Sequence, residues 1–446
     1  MKDGMVLQRN RDNLCEIYPE GAEPPKNISY KSAKSAISAP LKPERAGKNR
    51  WKLCGIPVGG PYEIEADGQS YRDIYVGDVW ILGGQSNMEG VGWLTAEDEQ
   101  FAQNPDPAVR ALYMNDTWGP ARHPLHDLGI AVDGVHAALG AGPRPMFNSA
   151  GPGLEFALKM KALTGVPQGV LCCAHGGTSM EQWSPALKPQ GGSGSLYGAM
   201  LRRFLDNGAH ARGMFWYQGC SDAGLPMCDL FVERMKEFVF ECRKDFGERL
   251  PFVQVQIGRR YVDLADRDSP APDCWSAIRE HQRCLHTHIS DLYTVSAIDK
   301  DLDDLIHLSS PAQKKLGAEA AEAMYCLLYK TDEKGCLPPP VFAGYRVCEC
   351  EKTGLANVEL RYENLHGGLV SKSRPTGFMI TQPDGAPFAQ YIFDTRLFGD
   401  TVLLRTMAAP QALNGCRLYY AYGTDPYCNI TDMAKRAIPA MGPVYL

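Results

Sequence analysis

Ser86 stands in Gly83-Gly84-Gln85-Ser86-Asn87-Met88-Glu89, directly after the apolar run Asp78–Leu82. A serine hydroxyl becomes a nucleophile only when a base takes its proton and donors meet the oxyanion that its attack creates. The base must be a histidine oriented by a carboxylate, and Asp304-Leu305-Ile306-His307 offers that pair. A spacing of three lets a short turn bring the carboxylate to one imidazole nitrogen while the other faces the serine. Each motif alone has a plainer alternative. Ser86 could merely cap a strand-to-helix turn, and His307 could be incidental to an acidic loop that also holds Asp301 and Asp303.

Two other apolar runs also end in glycine, at His175-Gly176-Gly177-Thr178 and at Trp216-Tyr217-Gln218-Gly219-Cys220-Ser221-Asp222. Acyl transfer needs donors aimed at the developing oxyanion, and Ser86, Gly177 and Gln218 are the candidates. Taken singly, these residues read as turn glycines and a buried amide. Gln85, Asn87, Trp183 and Tyr217 are candidate substrate contacts. Trp183, Trp216 and Tyr217 could wall a sugar pocket by stacking, although aromatic residues at strand ends more often belong to the core.

These residues must be positioned by the elements around them. Short apolar runs at Val79–Leu82, Val109–Met114, Gly169–Cys173, Met214–Tyr217, Phe252–Ile257 and Leu292–Ala297 read as strands. Leu196–Leu205, Leu230–Phe246 and Trp275–Leu285 carry apolar residues at helical spacing, and Ser309-Ser310-Pro311 opens a helix expected to reach Tyr329. Such alternation predicts an α/β domain with a parallel sheet covered by helices, its chemistry at the carboxyl ends of the strands. The expected organisation is an N-terminal β region over 1–75, a catalytic domain over 76–333 and a C-terminal β-sandwich over 337–446. The triple proline Pro338–Pro340 acts as the linker. Gly90–Pro107 and Asn115–Gly153 read as loops that shape the substrate pocket.

Composition narrows the function. A chain of 446 residues has room for two or three domains. Its 46 basic and 52 acidic residues give a net charge of −6 and are well mixed, with no basic block to engage nucleic acid. No run approaches the ~20 apolar residues of a membrane helix. Met1–Asn13 lacks the apolar core of a secretory leader, and the fifteen scattered cysteines suit reduced thiols, so the cytoplasm is the expected compartment. Cys348-Glu-Cys350 has no accompanying pair that would complete a metal site, and neither a metal nor a cofactor is expected. Oligomeric state is not legible.

Taken together, the four blocks resemble the sialate O-acetylesterase and acetylxylan-esterase branch of the SGNH hydrolases. They occur in the same order: Gly84–Met88, Gly176–Thr178 with Trp183, Tyr217–Gly219, and Asp304–His307. Asp3–Arg9, Gly59–Tyr62, Tyr419–Gly423 and Ala437–Ala440 resemble the accessory β regions of the multidomain members. The resemblance implies a flavodoxin-like sheet and a Ser86, His307, Asp304 triad. It also implies removal of O-acetyl groups from sugars, with 9-O-acetyl sialic acid favoured over acetylated xylan. One departure is Cys220, where the family usually has Glu. Arg279 is a candidate partner for that missing carboxylate, and Cys220 is expected to sit as a small buried thiol. The alternative reading is a carbohydrate-binding protein whose esterase site has decayed.

Overall fold

The computed structural model describes residues 1–17, 23–25, 28–33, 38–47, 50–139, 148–262, 272–330, 335–386 and 391–446. It divides into two compact units. The first comprises Met1–Trp216, Glu237–Phe252 and Ser309–Ala321, and the second comprises Tyr217–Lys236, Val253–Leu308 and Glu322–Leu446.

The first unit is organised by one long strand, Gln69–Gly84. Its first half pairs antiparallel with Gly59–Ala66, part of a small N-terminal sheet. Its second half, buried from Ile74 onward, enters a larger sheet. A continuous apolar run suits a strand covered on both faces. Here Gln69–Gly84 pairs in parallel with Gln168–Cys172, which pairs in parallel with Val109–Leu112. The strand Gly213–Tyr217 follows on the other side of Gln69–Gly84.

A flavodoxin-like sheet sets its first strand between its second and third, and Gln69–Gly84 likewise lies between Gln168–Cys172 and Gly213–Tyr217, with Val109–Leu112 added outside Gln168–Cys172. In chain order the third of these strands, Gln168–Cys172, therefore lies between the second, Val109–Leu112, and the first. The chain leaves Gly84 through the nucleophile turn and the Gly90–Pro107 excursion, and it re-enters one strand position farther out. Gln168–Cys172 then fills the vacant place.

That excursion is not the loop expected from sequence. Ala96–Gln103 is a helix with a capping box, in which the Thr95 side chain accepts from the Asp98 amide and Asp98 accepts from the Thr95 amide. Helical segments also occupy Leu128–Ile130 and Gly134–Leu139 within the second expected loop. These helices of three to eight residues are too short for a periodicity argument to find them, whereas the Thr-x-x-Asp signal was available. Burial acts to raise the pKa of Asp98, but hydrogen bonds from Ser310, Thr95 and Lys314 outweigh it and hold the carboxyl at about 2. Ser310 Oγ donates to Asp98 Oδ2 at 2.6 Å, which ties the first turn of the Ser310–Tyr329 helix to this cap.

In the second unit, Phe252–Gln256 and Leu292–Ser296 are neighbouring strands, flanked in sequence by the helix Pro272–Cys284. Residues from Val341 onward form a four-stranded antiparallel sheet and a three-stranded one. Val358, Leu360, Val402 and Leu404 from the first meet Ile380, Leu418, Tyr420 and Met441 from the second in a single core, as in a β-sandwich. Gln256 binds this sandwich to the strand that carries it. Its amide donates to the Arg279 and Ala440 carbonyls, and its Oε1 accepts from the Ala440 amide.

Candidate active site

Within the first unit, Gly84 ends its strand and Ser86 opens the four-residue helix Ser86–Glu89. The N-cap is Gln85, with no side-chain cap bond. The plain reading of Ser86 as a capping serine therefore fails, since its hydroxyl serves no helix end. Ser86 is 9% exposed. The neighbouring strand runs in register alongside, with the Cys173 amide donating to the Leu82 carbonyl and the His175 amide to the Gly84 carbonyl. These bonds seat the His175–Thr178 loop beside the nucleophile turn.

Glu89 closes the arrangement. Its carboxylate, 4% exposed, accepts the Gly176 amide at 2.5 Å. The Gly176 N–H is thereby consumed. Among the described residues, the Ser86 and Gly177 amides donate to no protein group. Two unused backbone donors at the carboxyl ends of adjacent parallel strands are what an oxyanion requires. Thr178 Oγ1 donates to the His175 carbonyl and accepts from Trp183 Nε1, which fixes the far end of the loop.

Trp183 therefore belongs to the core. It is 0% exposed and packs edge-on against Trp216, so its ring has no face for a sugar. Asn87 is also buried, and its carbonyl oxygen accepts from Gln313 Nε2 at 3.0 Å, which pins the Ser310–Tyr329 helix to the nucleophile helix. Gln85 is buried as well. Asn87 thus helps hold the turn in place, a role that spacing alone did not distinguish from substrate contact.

Within the second unit, Tyr217 is 1% exposed and likewise packed away from any sugar. Gln218 is fully buried, and its Nε2 donates to Asp222 Oδ2 at 2.5 Å. A carboxylate accepts only, so Asp222 fixes which end of the Gln218 amide carries its donors. Gly219 is required where it stands. Its φ is +142°, and a Cβ would lie 2.7 Å from Gln282 Nε2, which donates to the Gln218 carbonyl.

Asp304 and His307 meet as the spacing suggested, with Asp304 Oδ2 2.6 Å from His307 Nδ1. Asp304 Oδ1 accepts the amides of Ile306 and His307. Burial acts to raise the Asp304 pKa, but the imidazole and these two amides prevail and hold it below the ordinary carboxylate value. The carboxylate thus orients one ring nitrogen and leaves Nε2 for other work.

Cys220 is half-buried. Burial pushes its thiol up to about 12, opposed by the positive charges of Arg279 and Arg260. Arg279 itself donates to the carbonyls of Ile257, Gly258, Ala421, Gly423 and Thr424. Two guanidinium charges thus act on position 220. No cluster of His, Cys, Asp and Glu suited to a metal ion occurs among the described residues. No described helix is long and apolar enough to cross a membrane.

Comparison with known proteins gives a consistent picture. Residues 76–326 match the model of a family described as carbohydrate esterase, sialic acid-specific acetylesterase. A curated sialate O-acetylesterase from Pongo abelii is 25% identical over 302 residues, covering 57% of this chain and 54% of that protein. The match thus spans about half the length of that relative. A crystal structure of a carbohydrate acetylesterase from Xanthomonas citri superposes with a TM-score of 0.71 at 21% identity, covering 99% of this chain and 97% of the other.

Proposed function

The chain belongs to the sialic acid-specific acetylesterase family of carbohydrate esterases, and from that premise we propose that it is a serine esterase that removes O-acetyl groups from sugars, with O-acetylated sialic acid as its preferred substrate. The observation that carries the reading is the pair of unused amides of Ser86 and Gly177 beside a serine that caps nothing.

In the proposed mechanism, His307 Nε2 takes the proton of Ser86 Oγ as the oxygen attacks the acetyl carbonyl carbon. The Asp304 carboxylate holds the other ring nitrogen and stabilises the imidazolium that forms. The carbonyl oxygen, now an oxyanion, accepts from the Ser86 and Gly177 amides and from Gln218 Nε2. Collapse of the tetrahedral intermediate breaks the bond to the sugar oxygen, which leaves with the proton from His307. Water then attacks the acetyl-Ser86 ester, giving its proton to His307, and acetate departs with Ser86 restored. Nucleophile and base activate each other here without a metal or cofactor.

Acetate release from 9-O-acetyl sialic acid measured beside acetylated xylan tests the reading. Faster turnover of the sialate ester supports it. Preference for xylan would make the chain an acetylxylan esterase, and binding of either sugar without acetate release would make it a carbohydrate-binding protein.

A further inference from the structure

Three arginines lie close together in the sequence and fold of the second unit, and two are fully engaged. Arg279 is spent on the five carbonyls named above. Arg259 is ion-paired with Asp425 at 2.9 Å. Arg260 differs: among the described residues its half-buried guanidinium makes no hydrogen bond and no ion pair. Its guanidinium nitrogens are not among the buried polar atoms of the described residues, so the charge stands open to a ligand arriving from solvent.

The position of Arg260 is well defined. Its amide donates to the Thr424 carbonyl at 2.8 Å, and the next amide, Tyr261, donates to the Leu305 carbonyl at 2.8 Å. Leu305 lies between Asp304 and His307, so Arg260 is fastened one residue from the loop that carries the proposed base. Its charge also acts on Cys220, two residues beyond Gln218. The side chain therefore stands among the segments that hold the base and one oxyanion donor, and the neutral thiol at 220 supplies no carboxylate to neutralise it.

We propose that Arg260 recognises the carboxylate of a sugar acid, so that this site takes an acetylated acidic sugar in preference to a neutral one. The proposal rests on the esterase reading for its placement beside the chemistry. The planar fork of arginine pairs with a carboxylate through two parallel hydrogen bonds, and no group of a neutral sugar offers that match. Cys220 contributes by remaining uncharged. A carboxylate at that position would pair with Arg260 from within the protein and compete with the substrate.

Calorimetric titration of the full chain with N-acetylneuraminate, glucuronate and the neutral N-acetylmannosamine tests this without requiring turnover. Arg260→Gln should weaken N-acetylneuraminate about 10–100-fold, the usual worth of a charge-assisted pair, and leave N-acetylmannosamine unchanged. Cys220→Glu should produce a similar loss by internal pairing, and adding it to Arg260→Gln should weaken the acid little further. Glucuronate bound as tightly as N-acetylneuraminate would extend the site to uronic acids. Weakening of N-acetylneuraminate alone would restrict the site to that acid. Equal affinity of the wild type for acid and neutral sugars, or unchanged acid binding in Arg260→Gln, would overturn the proposal. Hydrolysis of 4-nitrophenyl acetate by the same proteins separates the two readings. Turnover preserved in Arg260→Gln leaves the esterase intact whatever the titrations show, whereas no turnover in the wild type removes the esterase reading and leaves the binding result standing.

Discussion

Glu89 offers a direct handle on the oxyanion geometry, because its carboxylate takes the Gly176 amide at 2.5 Å and so leaves the next amide, Gly177, for the substrate. The bond is charged, short and buried, and bonds of that type contribute about 1.5–3 kcal/mol. Glu89→Ala would free the Gly176–Gly177 peptide to turn, and the backbone bond from His175 to Gly84 would hold only the start of the loop. Loss of one oxyanion donor costs ~10²–10³ in rate, so a loop that is misaligned part of the time should cost about 10–100-fold in kcat. KM should move little, because the ground-state ester gains little from that donor. Glu89→Gln keeps an acceptor oxygen of the same reach and should recover most of the loss. The assay is steady-state hydrolysis of an acetyl ester, together with the inhibition constant of a trifluoromethyl ketone whose tetrahedral adduct mimics the intermediate. Across the two variants that constant should worsen in proportion to the fall in kcat/KM. A wild-type kcat in Glu89→Ala, or Glu89→Gln damaged as badly as Glu89→Ala, would refute the reasoning.

Asp304→Asn should lower kcat by ~10³–10⁴ with the melting temperature nearly unchanged, since the amide favours the wrong imidazole tautomer. Asp301→Asn and Asp303→Asn should be mild, and a larger loss at Asp303 would reassign the orienting carboxylate. Gly83→Ala would place a methyl group 2.8 Å from the buried Trp216 ring, which is wedged against Trp183. It should cost ~1–3 kcal/mol by overpacking, read from the denaturant midpoint, and an unchanged midpoint would contradict the packing described. Burial, reinforced by neighbouring positive charge, lowers both His126 and His136 to about 3. Unfolded histidines take up protons near pH 6.5 while these two refuse them. Their contribution is therefore complete above that pH and declines as pH falls toward 3, by on the order of 1.4 kcal/mol per pKa unit for each. Urea midpoints that stay flat from pH 6.5 to pH 4.5 would contradict this.

The legible features of the sequence were those with a local physical cause. The apolar run ending at Leu82 became a strand because both of its faces are covered, and the Asp-x-x-His spacing became a hydrogen bond because a single turn spans it. The helix from Ser310 began within one residue of its capping signal. Features that depend on distant partners were hidden. Trp183 looked like a pocket wall because sequence cannot show the Trp216 ring that covers it. Asn87 looked like a substrate contact because its partner, Gln313, lies 226 residues away. The place of Val109–Leu112 outside Gln168–Cys172 was hidden for the same reason, since periodicity reports that a strand exists and not which neighbour it finds. Glu89 was quoted within the nucleophile block without a role, and only its bond to Gly176 supplies one. Arg260 carried no signal at all, because an arginine becomes informative when its neighbours are seen to leave it unpaired.

The central claim is that Ser86 is the nucleophile, and kinetics of Ser86→Ala on an acetyl ester test it most directly. The hydroxyl makes no bond to the protein among the described residues, so the variant should keep the wild-type melting temperature. Its kcat should fall by ~10³–10⁶, the range for loss of a triad member. A folded Ser86→Ala protein that retains a substantial share of wild-type turnover would contradict the account.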